Sequence, residues 1–509
     1  MTIASTTYGE TSYDQVPYAG YAYWFTHPDH LALMGHLRGL STARGPKARY
    51  LELGCGDGGN LLSLAAALPE TTFVGIDLSA THIAAAHAMT ETLGLRNVSF
   101  ARADLRDFDP GPEPFDFIVA HGVYSWIPSD ARDALLAVIG RSLAPHGVAL
   151  VSYNTSPGQH DLEPVRRLMR FHTAPLKDPA AKIRQARSIG QTWLRHMRET
   201  EPETRGAIAT RIGDILAQTS DQMMRHDWLS EEEAPILFKD FVAHAQRHGL
   251  GYLDNALAAA QRPENLDDEA RELLVKLADP VRQQQYLDFF ENTRFRVTLL
   301  AHAAALEQRV ASFEPARFGE LEIESRIQTD VWAPETRFHP SVIAETMGGV
   351  IEISGVPLRM ALSTLFHHGP RAVRVKDLFE EVLEQLVAEG QDGSLGGTES
   401  GREQLFAMMM EQLVTLWQKD VVHFWIHAPE IPHTLPERPR TGILQREIAK
   451  LRREVPTLHH RHGELTAEEQ RVLQVLDGSL DGAALTARFG PQTEHVLERL
   501  HKQGFIVGA

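Results

Sequence analysis

The chain has 509 residues, with 50 Lys and Arg against 67 Asp and Glu and a net charge of −17. It is too long for one core, and too acidic to favour phosphate backbones or anionic lipid, so no nucleic acid is expected as a partner. A single cysteine excludes internal disulfides and is compatible with a reducing cytoplasm, and the 25 histidines, scattered along the chain, show no metal-ligand spacing.

No apolar run reaches the roughly 18 residues of a membrane span, and Met1 to Tyr13 lacks the basic start and apolar centre of a signal peptide. An aromatic cluster comes first: Tyr8, Tyr13, Tyr18, Tyr21, Tyr23, Trp24 and Phe25, ending in a helix start at Thr26-His27-Pro28. It reads equally as an arm packed on the body of the protein and as a lid that keeps water from a reaction. An apolar strand, Arg49 to Leu53, then runs into Gly54-Cys55-Gly56-Asp57-Gly58-Gly59, and a helix follows from Leu61. Glycines here let a ligand approach the backbone, and the helix N-terminus offers free N–H groups. Gly54, Gly56 and Gly59 fit G-x-G-x-x-G, which alone is a weak signal. A second strand ends in Asp77, whose carboxylate can accept both ribose hydroxyls of an adenosine. A third leads to Asp104, placed to accept an adenine amino group, and a fourth, Phe115 to Ala120, precedes His121-Gly122-Val123-Tyr124-Ser125-Trp126-Ile127-Pro128. After a helix, Val148 to Tyr153 forms a fifth strand. This β-α alternation predicts a parallel sheet with helices on both faces.

From Asp161 to about Ala311 the pattern is almost wholly helical, the last predicted helix spanning Val281 to Ala311. Short strands are expected between Phe318 and Pro357. Three helices and the strand Val421 to His427 follow, interrupted by a glycine-rich stretch from Gly390 to Gly397. Pro429 to Pro439 reads as a linker. In the tail, Thr466 with Glu469 forms a capping box, two further helices follow, and Phe505 to Val507 makes a short wing. Both C-terminal modules read as winged-helix-like. They lack a basic recognition helix, which favours packing on protein over binding DNA. The expected division is an aromatic arm and helix at 1–45, a Rossmann-like nucleotide-binding domain at 46–160, a helical accessory domain at 161–315, an α+β winged-helix-like domain at 316–430 and a C-terminal module at 440–509. The fold class is α/β.

Glu52, Gly54, Gly56, Asp77, Asp104, the Phe115-Asp116 strand start and Leu143-x-Pro145-x-Gly147, in that order and at compact spacing, resemble the class I S-adenosyl-L-methionine (SAM)-dependent methyltransferases. An NAD enzyme would need a nicotinamide half-site, and none is evident. The similarity extends to Ser12-Tyr13-Asp14, His226-Asp227-x-Leu229-Ser230, Phe238-Lys239-Asp240-Phe241 and Tyr286-Leu287-Asp288-Phe289-Phe290, which resemble bacterial methyltransferases that carry a helical regulatory domain. The best-known members of that group are protein-lysine methyltransferases acting on outer-membrane proteins. The resemblance implies SAM as cofactor, S-adenosyl-L-homocysteine as product, and methyl transfer to an amine, protein lysine first. A small-molecule N- or O-methyltransferase and a SAM-binding scaffold without turnover remain alternatives.

The expected cofactor contacts are Tyr13, Glu52, Gly54, Gly56, Asp77, Leu78, Asp104, Leu105 and His121. His121, Tyr124, Trp126 and Asn154, beyond the ends of strands four and five, are the expected catalytic set. Tyr124 and Trp126 read as acceptor-pocket walls, and His121 reads as a proton acceptor, a cofactor contact or a loop anchor. No metal is expected, the acceptor is a protein or a small molecule, and a homodimer stays open.

Overall fold

The computed structural model describes residues 8–43, 45, 47–200, 203, 205–232, 234–260, 262–346, 349–390 and 398–508. Most of the glycine-rich stretch expected at 390–397 therefore lies outside the described residues.

One mixed sheet organises the N-terminal part. Its strands are β1 (Arg49–Leu53), β2 (Thr72–Asp77), β3 (Val98–Arg102), β4 (Phe115–Ala120), β5 (Leu143–Asn154), β6 (Leu250–Asn255) and β7 (Phe295–His302), in the order β3-β2-β1-β4-β5-β7-β6. Strands β1 to β5 pair in parallel, and β7 runs antiparallel to both β5 and β6. Leu51, Leu53, Ile76, Ile118 and Ala120 enter one core, while Tyr50, Phe73, Phe117 and Val119 enter the other. Burial on both faces explains why these strands read as apolar runs rather than alternating ones. Strand order reverses at β1, between β2 and β4, so a crevice opens at the carboxyl ends of these strands.

The region expected to be almost wholly helical is corrected at two places. Leu250–Asn255 and Phe295–His302 are strands, and the helix expected over Val281 to Ala311 ends at Glu291 with Asn292 in the left-handed region. Short apolar runs do not distinguish a strand from a buried helix by periodicity. The open edge of β5 decides the matter, because Tyr153 to Arg296 and neighbouring pairs complete its ladder. Between β5 and β6 the chain is helical: Glu163–Thr173, Pro179–Thr200, Gly206–Gln218, a π-helical turn Met224–Trp228, and Phe238–Gln246. Val165, Met169, Ile183, Ile212, Leu216 and Trp228 give much of this segment a core of its own.

Further on, Glu322–Ser325, Val373–Arg374 and Val422–Trp425 make a small antiparallel sheet against the helices Val356–His368, Val375–Ala388 and Glu399–Gln418. The tail contains the hairpin Glu454–Pro456 and His462–Glu464, and its helix Ala467–Leu473 starts with the expected Thr466–Glu469 capping box.

Candidate functional site

The crevice at the strand ends is a cavity of about 670 Å³. The tight turn after β1 has Gly54 at φ +76° and Gly56 at φ +55°. A Cβ on Gly54 would lie 2.4 Å from Val123, whereas one on Gly56 would meet nothing within 4 Å, so Gly56 leaves its backbone open to a ligand. Asp77, at the tip of β2, accepts the Gly56 N–H at 3.0 Å and the Ser79 N–H at 2.8 Å, which hold its carboxylate in place. Asp104 is clamped by the Arg106 guanidinium at 2.9 and 2.6 Å, and this pairing holds its carboxyl below the usual range. Glu52 is buried, its Oε1 accepting Asn60 Nδ2 at 3.1 Å and its Oε2 without a partner among the described residues. Burial pushes its carboxyl up to about 8.

The arm closes this crevice. Asp14 accepts Ser79 Oγ at 2.6 Å and the Thr81 N–H at 3.0 Å, and the Gly20 N–H donates to Asp57 at 2.9 Å. Tyr13, Tyr18, Tyr21 and Tyr23 then line the cavity. A Cβ on Gly59 would lie 2.5 Å from Gly20 carbonyl atoms, so the third glycine of the fingerprint is needed where the arm crosses the loop. The arm is therefore both packed and part of the cavity wall. The helical segment adds Arg166, Asp227 and Trp228 to the lining, and the start of β7 adds Arg294 and Phe295. Tyr13 stacks on His226 at 4.2 Å, joining the arm to that segment.

Of the residues expected from sequence, Tyr13, Glu52, Gly54, Gly56, Asp77, Leu78, Asp104, Leu105, His121, Trp126 and Asn154 all line this cavity. Tyr124 does not, and its reading as an acceptor wall is corrected. Its ring is buried against Phe241 and Tyr153, and its hydroxyl lies 2.8 Å from His244 Nδ1. In the short turn Tyr124–Trp126 neighbouring side chains diverge, Trp126 towards the cavity and Tyr124 into the core. His121 packs against Tyr23, Phe25 and Phe295, with Nδ1 2.9 Å from Ser152 Oγ. Burial lowers it to about 4, so the ring is neutral near pH 7, which suits an anchor better than a proton acceptor. The Asn154 backbone N–H donates to Ser125 Oγ at 2.8 Å. Arg166, Asp227, Trp228 and Arg294 were not anticipated as site residues. Asp227 stands in a motif that sequence similarity picks out, but nothing in linear spacing places it over the sheet.

The structure also brings together Asp133, His244 and His248, whose ligand atoms lie within 4.8 Å of one another. Asp133 Oδ1 is 3.1 Å from His244 Nε2 and 3.0 Å from His248 Nε2, distances of hydrogen bonds.

Residues 51–147 match the family described as "Methyltransferase domain", and residues 220–302 match the family described as "Predicted methyltransferase regulatory domain". An uncharacterized protein of Rickettsia prowazekii is 36% identical over 290 residues, 57% of this chain and 52% of that one. A second from the same organism is 30% identical over 236 residues, 46% of this chain and 94% of that one. The chain belongs to the class I SAM-dependent methyltransferases with a regulatory domain. It spans about half the length of the first of these relatives, 52%. In fold it is similar to PKMT2 from Rickettsia typhi in complex with S-adenosyl-L-homocysteine, with a TM-score of 0.85, 23% identity, and coverage of 97% of this chain and 100% of that one.

The cofactor of this methyltransferase family is SAM, and the cavity fits it. Asp77 and Asp104 are carboxylates beside the open glycine turn, and the buried Glu52 carboxyl in the cavity wall suits a cationic ligand. Among the described residues, no helix is long and apolar enough to cross a membrane.

Proposed function

We propose that this methyltransferase acts on an amine, with protein lysine as the acceptor. The observation that carries this reading is that one cavity is lined both by the glycine turn and by Tyr13, Tyr18, Trp126, Asp227 and Trp228. SAM supplies an electrophilic methyl, and the protein's task is to align a neutral amine behind it and exclude water. Aromatic walls and desolvation favour the neutral amine. The net charge of −17 suits a basic partner, since opposite charge speeds encounter. The resemblance to bacterial protein-lysine methyltransferases supports the same choice. Cys55 is a buried free thiol, which suits the reducing cytoplasm.

The test is incubation with labelled SAM, cell lysate and purified lysine-rich proteins, followed by mass spectrometry. Gain of methyl mass on lysine, increasing with pH near neutrality and falling with added salt, is the expected result. Label confined to a small-molecule hydroxyl would overturn the amine reading and leave the methyltransferase family assignment intact.

A further inference from the structure

The cavity holds an acidic group that the cofactor contacts do not use. Asp227 sits in the π-helical turn Met224–Trp228 and lines the same cavity as the glycine loop. Such turns insert a residue into a helix and re-aim its side chains, and they recur at functional sites. The cavity's other carboxylates each accept from a neighbouring donor: Asp77 from backbone N–H groups, Asp104 from Arg106, and Glu52, at one of its two oxygens, from Asn60. The Asp227 carboxylate has no hydrogen-bond donor among the described residues, although Arg166 donates to its main-chain carbonyl. Tyr13, Tyr18 and Tyr23 all feel its charge, and Tyr23 in turn touches His121 at 4.2 Å between ring centres. Asp227 thus shares the cavity with the tyrosines of the arm and with His121 at the end of β4.

We infer that Asp227, with Tyr13, Tyr18 and Trp126, forms the subsite for the acceptor's primary ammonium, holding it and taking one of its protons. This rests on the amine reading above. An ammonium entering an aromatic compartment loses its hydration, and a carboxylate there replaces it with a charge-assisted hydrogen bond. One N–H bond breaks, its electron pair stays on nitrogen as the lone pair, the proton goes to Asp227, and it leaves for solvent after the product departs. Burial raises the Asp227 carboxyl to about 7 even with Arg166 beside it, so the group accepts a proton near neutral pH. His121, lowered to about 4, is too weak a base for that role.

The test needs no identified substrate. Sinefungin carries a carbon-bound primary amine where SAM carries its sulfonium methyl, so it places an ammonium at the point of transfer, whereas S-adenosyl-L-homocysteine places nothing there. Calorimetry with both ligands on wild type and Asp227→Asn reads the subsite directly. The expected result is S-adenosyl-L-homocysteine affinity within about twofold of wild type, with the preference for sinefungin reduced by about tenfold or more. An unchanged preference in a variant that binds S-adenosyl-L-homocysteine overturns the assignment. The wild-type protein supplies a second measurement, decisive if the variant does not fold. Its preference for sinefungin should rise between pH 6 and 8 as Asp227 ionises, and a flat ratio overturns the assignment equally. Charged or titratable groups near Asp227 include Arg166, Arg225, His226, Tyr13, Tyr18 and Tyr23, and His82, lowered by burial but raised overall by Asp77 3.7 Å away, lies on the Asp77 side of the cavity, which both ligands occupy alike. Of these, His226 is lowered by burial, so its charge is lost earlier than that of a free imidazole, and the tyrosines are raised above the window. Glu52 titrates close to 8 but faces the methionyl part that both ligands share. Lysine mass spectrometry judges the amine reading separately, so a failure of the subsite is told apart from a failure of that reading.

Discussion

Glu52 is buried with one oxygen on Asn60 and the other unpartnered beside the cofactor cavity. A cationic ligand favours its ionised form, so SAM binding at pH 7 should release a proton. Affinity should rise with pH and level off above about 8, where the free protein's Glu52 is already ionised. Calorimetry in buffers of different ionisation enthalpy checks this, and Glu52→Gln should remove the slope. The same group acts on stability. Unfolded, it ionises near 4.5, and folded near 8, so the fold loses stability as pH rises between those values, by an amount on the order of a few kcal/mol. Glu52→Gln should therefore raise the melting temperature at pH 8 and leave it unchanged at pH 4. Asp77 is the plainer case. Asp77→Ala removes the carboxylate expected to accept the ribose hydroxyls, and a lost hydrogen bond to a charged group costs roughly 1.5–3 kcal/mol, so SAM should bind at least about tenfold more weakly by calorimetry. Unchanged affinity in a folded variant would contradict the assignment.

The arm reaches the cofactor loop through a contact between two glycines. A Cβ on Gly20 would lie 2.2 Å from Asp57 Oδ1 and 2.9 Å from the Gly59 nitrogen. Gly20→Ala should therefore lift the arm from the loop and withdraw Tyr18, Tyr21 and Tyr23 from the cavity. We expect SAM affinity and turnover to drop by about tenfold while the melting temperature falls by only a few degrees, since the sheet core is untouched. Thermal melts and titration on the same sample separate the two effects. If affinity and turnover hold, the arm's tyrosines contribute packing alone. The aromatic run was visible in sequence, but Gly20 between two tyrosines gave no sign of its role, because the atoms it must clear lie 37 residues away.

The C-terminal module closes back on the nucleotide-binding part. Arg452 donates to the Gly20 carbonyl at 2.7 Å and lies 4.5 Å over the Tyr21 ring, and His460 reaches Asn60 at 2.7 Å and Ser63 at 3.1 Å. Histidines scattered in sequence meet at this junction: His27 lies 5.9 Å from His460, and His30 lies 5.8 Å from His423, between ring centres. Burial lowers all four, His27 and His30 to about 4, so they are neutral at pH 7. The unfolded rings take up protons near 6.5, before the folded ones do, so stability should fall as pH drops from 6.5 towards 4. Melting curves from pH 7.5 to 4.5 check this, and His460→Gln should soften the decline. If His460→Gln leaves the acid slope of the melting temperature unchanged, the junction does not carry that sensitivity.

The sequence by itself determined the nucleotide-binding half. The glycine turn, Asp77 and Asp104 are set by contacts within one β-α-β run, where spacing along the chain maps directly onto position at the strand ends. Most of the cofactor side of the cavity was legible for that reason. Only the tertiary structure decided what lies across from it. Strands β6 and β7 owe their conformation to the open edge of β5, and Tyr124 turns inward because Phe241 and Tyr153 offer it a core. Asp227 meets the cavity because a helical segment folds back over the sheet, and His460 reaches Asn60 of the glycine-loop helix from 400 residues away. Such contacts are made between surfaces whose complementarity no local pattern encodes, so periodicity and propensity carry no signal for them.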